Sequence, residues 1–206
     1  MTDRDVRPFL EAADRGLNWI VEQQNRDGSF CRPEDGIGGY YKVADPDRFY
    51  YRMDIEGNLL TDVPDGQELF YYVDATRCEQ IYYNPGIALI FLAHLYLATG
   101  ETRYLDAGKT LFDFTQRCAA DVYRFPPSGK LGYGTALLYA LTGDPQARRT
   151  ARDVGAYLTE TQTGEGFWRL PDVAVYQAIE EKDDFEIRLD ITAEFSIFLM
   201  EIAALI

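Results

Sequence analysis

The chain of 206 residues is long enough for one sizeable domain, and its 47% hydrophobic and 26% charged content is ordinary for a globular protein. A net charge of −14, with no cluster of lysine or arginine, argues against nucleic acid or an anionic membrane as partner. Cys31, Cys78 and Cys118 form no C-x-x-C pair, the N-terminal residues are charged, and no run reaches the ~18 apolar residues of a membrane span. Together these features predict a cytoplasmic protein without a membrane span.

In residues 8–25 the apolar positions Phe9, Ala12, Ala13, Gly16, Leu17, Ile20 and Val21 recur every three or four residues, the period of a helix, and Asp27-Gly28 ends it. Gly36, Gly38 and Gly39 make the next stretch a loop, and "YYKV" reads as a helix that starts and stops within one turn. Residues 44–76 change texture and predict a β-rich insertion. Within it, 48–63 reads as a hairpin bending at Glu56-Gly57-Asn58, and 68–76 as a third strand.

The remainder is helical, in pairs. Pro85 opens "GIALIFLAHLYLATG", apolar almost all round as a buried helix should be; Thr99-Gly100-Glu101 stops it, and an amphipathic helix follows to about Cys118. "KLGYGTALLYALTG" is again apolar and ends at Gly143, after which Asp144-Pro145 caps a helix to about Thr161. The acidic run 180–186 reads as a solvated loop, with the last apolar helix beginning at Ile191. Alternation of apolar and half-wet helices indicates a repeat architecture of two layers, the apolar helices inside. The single histidine, His94, lies within an apolar helix without ligand partners and reads as a core residue; no metal or other cofactor is expected.

Two stretches share a pattern. "RGLNWIVEQQNRDGSF" resembles the glutamine–tryptophan repeat of squalene–hopene-type cyclases: Arg15, Gly16, Trp19, Ile20, Gln24, Gly28 and Phe30 fill its places, with Phe30 where that family prefers Trp. Downstream, Tyr157, Leu158, Gln162, Gly166 and Trp168 match, without the basic-small opening. In such a motif the glutamine caps backbone groups where an outer helix ends, and the aromatic packs over the turn. The resemblance implies an all-α fold, an α/α toroid of concentric inner and outer helices. Residues 1–206 would form this single domain, with the small β-hairpin insertion of 44–76 at the mouth of the ring.

The resemblance specifies architecture more than reaction, because toroids include terpenoid cyclases, protein prenyltransferases, dehydratase-isomerases, sugar epimerases and six-hairpin-type glycosidases and lyases. The Asp-x-Asp-Asp acid of squalene–hopene cyclases is absent, "DPD" at 45–47 being followed by Arg48. One histidine supplies neither the zinc set of prenyltransferases nor the histidine pair of the epimerases. With about four inner helices and three outer ones, the ring is also short. It would be an open arc, a ring completed by a second copy as a homodimer, or a ring lacking a segment between Val43 and Ala44; the abrupt loss of helix after "YYKV" favours the last.

By the same resemblance, loops leading into the inner helices line a funnel. They offer Cys31, Tyr40 and Tyr41, then Asp74, Glu79, Tyr82, Tyr83 and Asn84, then Tyr133, and finally Asp190 and Glu194. Asp190 and Glu194 are four apart and share a helical face, where two close carboxylates can provide an acid beside a base; Asp190 reads equally well as an N-cap. Asp74 and Glu79 are further candidate acids, and the tyrosines offer faces for a small-molecule substrate. Two enzyme classes follow. One is a terpenoid cyclase or isomerase in which a carboxylate moves protons and ring faces stabilise a cation; the other is a carbohydrate-active hydrolase or lyase. The third reading is a non-catalytic, ligand-binding toroid.

Overall fold

The computed structural model describes residues 42–45, 47–52, 59–171, 176 and 185–206, with 42–45 described in backbone only and the side chain of 127 excepted. The helix expected over 8–25, the candidates Cys31, Tyr40 and Tyr41, and the bend at 56–58 lie outside the described residues. What is described is mostly helical, with a small antiparallel sheet of three strands, β1 (Lys42–Asp45), β2 (Arg48–Tyr50) and β3 (Tyr72–Asp74), in that order. Five α-helices follow among the described residues: α1 (Tyr83–Thr99), α2 (Thr102–Thr115), α3 (Gly129–Thr142), α4 (Pro145–Thr161) and α5 (Phe185–Leu205).

The sheet corrects the reading of its segment. Lys42 and Val43 belong to a strand rather than to a helical stub, and β1 runs through Val43–Ala44 without a break. Strand β2 does not pair mainly with the segment after Asn58. It pairs with β1 on one side and with β3 on the other, matching Phe49 to Val73 and Tyr50 to Tyr72. Burial decides this register: Phe49 and Val73 are 1% and 0% exposed, and a one-residue slip would turn both into water. Phe49 meets Phe114 of α2 at a ring separation of 6.0 Å, so the sheet packs where α2 ends and α1 begins.

The helical stops follow their sequence to the atom. At both Thr-Gly-acid turns the glycine takes a left-handed conformation, φ 71° at Gly100 and 72° at Gly143, and its N–H closes on the carbonyl four residues back. In each turn the threonine hydroxyl donates to the carbonyl four residues earlier, Leu95 at 2.7 Å and Leu138 at 2.6 Å, and accepts the N–H of the acidic residue at 3.2 Å. Asp144 caps α4 by accepting the Gln146 N–H at 2.8 Å, with Pro145 as first helical residue.

Glycines set the helix packing. A Cβ on Gly86 would lie 2.4 Å from the Leu131 backbone nitrogen, and one on Gly134 would lie 2.7 Å from Leu89 Cβ. Contacts in this order, Gly86 with Leu131 and Leu89 with Gly134, mean that α1 and α3 run parallel at close approach. Gly129 meets Phe195 and Phe198, and Gly132 meets Ile202, which places α5 parallel to α3 on its other side. Helix α4 turns back antiparallel and fits Val154 against Gly132. Helix α3 is thus buried nearly all round. Helix α1 is not: it buries Asn84, Pro85, Gly86, Ala88, Leu89 and Ala93, but leaves Phe91 46% and Leu97 58% exposed, with His94 on the same open stripe. The expectation of a core histidine is therefore corrected: His94 is exposed, and among the described helices α2 and α3 pack on other sides of α1. No described helix is long and apolar enough to cross a membrane.

The glycine at 86 is expected to be intolerant: G86A should lower stability by about 1–3 kcal/mol through overpacking, despite alanine's better helix propensity. G108A in α2, where an added Cβ meets nothing within 4 Å, should raise stability by roughly 0.5–1 kcal/mol. Urea denaturation of the two variants checks both signs.

Candidate functional site

The loop from Asp74 to Tyr82 leads into α1 and contains two of the four expected acids, and most of its polar groups hold the loop itself. Gln80, 2% exposed, accepts the Asp74 N–H at 2.7 Å and donates to the carbonyls of Asp74 and Arg77 at 2.6 and 2.7 Å. Asp74 accepts the N–H and hydroxyl of Thr76 at 2.9 and 2.7 Å and faces Arg48 at 3.6 Å. Burial pulls its carboxyl upward, but the Thr76 hydrogen bonds, with Arg48 and Arg77, leave it below the usual carboxylate range. Glu79 is exposed and sits at φ 55°; its N–H donates to Asp121 at 2.7 Å. Tyr82 is fully buried, and its hydroxyl reaches Asp121 at 2.9 Å. Asp74 and Tyr82 therefore brace the loop with their side chains, whereas Glu79 does so only through its backbone N–H and leaves its side chain exposed. Asp121, in a short 3-10 turn, is the organiser that sequence reasoning missed; nothing distinguished it from an ordinary turn aspartate.

The other candidates converge where α1, α3 and α5 face one another. Tyr83 opens α1, and buried Asn84 follows it. Lys130 and Tyr133 stand on the first turns of α3; Glu194 and Phe198 stand one turn apart on α5. The Lys130 ammonium lies 2.5 Å from a Glu194 carboxylate oxygen, and 5.4 Å from the ring centres of both Tyr83 and Phe198. Tyr133 stacks on Phe198 at 6.4 Å, and Tyr176 stacks on Phe125 at 6.2 Å with the ring planes 9° apart. Phe198 can reach this point because Gly129 has no side chain, a Cβ there falling 2.8 Å from the ring.

The structure thus brings together Tyr83, Tyr133 and Glu194 of the sequence candidates, and corrects the N-cap reading of Asp190. Helix α5 begins at Phe185, so Asp190 is an exposed residue of its second turn and not an N-cap, and the end of the acidic run, Phe185 and Glu186, is helical. Glu194 takes its ion-pair partner from α3, across 64 positions of sequence, rather than from Asp190. Lys130 was legible in principle, as the single charge in an otherwise uncharged helix; Tyr176 carried no signal.

Burial keeps the phenols protonated. Tyr83 is raised above its ordinary value by burial and then by Glu194; Tyr176 is raised by burial first and then by Tyr157, Tyr83 and Glu194; Tyr133 is raised by burial and Glu201. Tyr83 and Tyr176 thus stand as hydroxyl donors near the Glu194 carboxylate, groups of the kind that move a proton.

The second glutamine–tryptophan stretch ties α4 to α5. The Trp168 indole N–H donates to the Leu158 carbonyl at 2.7 Å, capping the end of α4, and the Gln162 amide donates to the Gly166 carbonyl at 2.8 Å. The Trp168 ring, 2% exposed, meets Phe195 of α5 edge-on at 5.6 Å, and its backbone N–H donates to Thr192 at 3.2 Å.

The chain matches no protein-family model, no curated protein and no solved structure. Function rests on the site itself.

W168F keeps the ring and deletes the indole N–H, leaving the Leu158 carbonyl without its donor; a loss of about 1–3 kcal/mol is expected in urea denaturation. Alkaline pH should destabilise the fold as well. Burial pushes the Cys118 thiol up to about 12, with Asp121 adding to it against Arg117, and pushes Tyr123 to about 12; Tyr82 is driven higher still, by burial and then by Asp121. The unfolded chain releases these protons near the ordinary values of 9.0 for the thiol and 10.0 for the phenol while the folded chain retains them, so stability present below pH 9 is lost as pH rises toward 12. Urea midpoints measured from pH 8 upward should fall, and C118A should make the fall shallower.

Proposed function

We propose that this chain is a small-molecule enzyme built on an arc of an α/α toroid. Its site is the mouth formed by α1, α3 and α5, and its chemistry is of the terpenoid isomerase and cyclase class. The layering supports the architecture: three parallel, glycine-packed helices, with α4 running antiparallel to its partner and joined to α5 through a glutamine–tryptophan turn. The observation that carries the chemistry is a single carboxylate, Glu194, salt-bridged to Lys130 among aromatic rings.

A salt-bridged carboxylate accepts a proton and has none to give. Glu194 is therefore the base, and the protonated phenols of Tyr83 and Tyr176 are the donors that hold a substrate's polar group. That division favours isomerisation or elimination, in which a proton leaves carbon, over a cyclisation begun by a carboxylic acid. The ring faces of Tyr83, Tyr133 and Phe198 stabilise positive charge that develops beside them. Glycoside hydrolysis would instead need a second carboxylate roughly 5–10 Å from the first, with Asp190 as its candidate.

The test is turnover of acyclic prenyl alcohols of about ten to twenty carbons, followed by gas chromatography. E194Q should reduce the rate by about 10²–10⁴-fold with binding changed only a few-fold. Oligosaccharide cleavage lost in both D190N and E194Q would replace this reading with the glycosidic one. Binding without turnover would make the protein a ligand carrier.

A further inference from the structure

Lys130 is oddly placed for a residue that only neutralises a carboxylate. A lysine ammonium is strongly hydrated and sits on a flexible four-carbon stem, so it ordinarily turns its head to water. Here the side chain is 22% exposed, and the ammonium is flanked by Glu194 at 2.5 Å and by two ring centres at 5.4 Å each, with Tyr83 and Glu194 on the open side at 38% and 37% exposed. Ring centroids within about 6 Å of a cation attract it through their negative faces, and a carboxylate with aromatic walls is the arrangement that recognises organic ammonium ions. The walls do not depend on the lysine. Tyr83 is fixed by the start of α1, and Phe198 by its seat on Gly129, where α3 presents no side chain.

We infer that this mouth is a cation-binding cage, that Lys130 is its tethered internal occupant, and that small organic ammonium ions bind there by displacing it. Because the occupant is tethered, it competes at high effective concentration, so free ligands bind the wild-type protein weakly. The inference rests on the reading above only in taking the same mouth as a ligand site; it requires no turnover. It adds a substrate preference, for molecules that carry or develop positive charge where the Lys130 nitrogen now sits.

The experiment is an NMR titration with choline and with its neutral isostere 3,3-dimethylbutan-1-ol, on wild type, K130M and K130Q. Choline should bind K130M and K130Q at least about tenfold more tightly than wild type, and at least about tenfold more tightly than the neutral isostere. Adding E194Q to K130M should abolish that preference. In wild type, with no substitution at all, the Lys130 ε-methylene protons should be shifted upfield by the two rings and return toward ordinary values as choline is added. Equal binding of choline and the isostere would overturn the cage while leaving an apolar ligand mouth in place. A Lys130 resonance without ring shift, or no choline binding to either folded variant, would overturn it independently of any prenyl-alcohol turnover.

Discussion

Parallel helices approach as closely as α1 and α3 do only where a facing residue has no side chain. Gly86 and Gly134 supply that absence on the two helices, and the meeting of Tyr83 with Lys130 depends on it. With the axes drawn together, Tyr83 on α1 comes within reach of Lys130 on α3. Gly129 then admits Phe198, which brings α5 and Glu194 alongside. A methyl group at these positions would widen the helix spacing and separate the ring faces from the charge. The backbone contact is a packing matter, and its outcome is chemical.

A second constraint comes from the turn after α4. Trp168 fills a core position and satisfies one carbonyl of the last turn of α4, that of Leu158, so α4 cannot lose its end without disturbing α5. The pattern of glutamine, glycine and aromatic in this turn therefore passes position from α4 to α5, the helix that carries Glu194.

Local signals were the most legible part of the sequence. Gly100, Gly143, Asp144 and Pro145 set helix ends by their own backbone and capping chemistry, and these ends fall where the residues put them. Signals that depend on partners were harder to read. Residues 42–50 form two strands because Phe49 and Val73 share a buried face, a pairing that short-range pattern does not contain. Asp190 looked like a cap only because the helix was taken to begin at Ile191; the acidic residues before it concealed a start at Phe185. At the mouth, Glu194 and the tyrosines stood out by type and spacing, whereas its ion-pair partner belongs to another helix and is settled by packing alone. Asp74 has the right functional group for catalysis, and its hydrogen bonds to Thr76 tie that group to the loop.

The order of elements has a consequence for biosynthesis. Glu194 leaves the ribosome 64 residues after Lys130, a delay of roughly 3–13 s at ordinary elongation speeds. Throughout that interval the flank of α3 reserved for Phe195, Phe198 and Ile202 is bare, and the lysine has no counter-charge. The nascent protein carries an unfinished apolar surface until its last helix arrives, which makes that window the one in which a holding chaperone matters most.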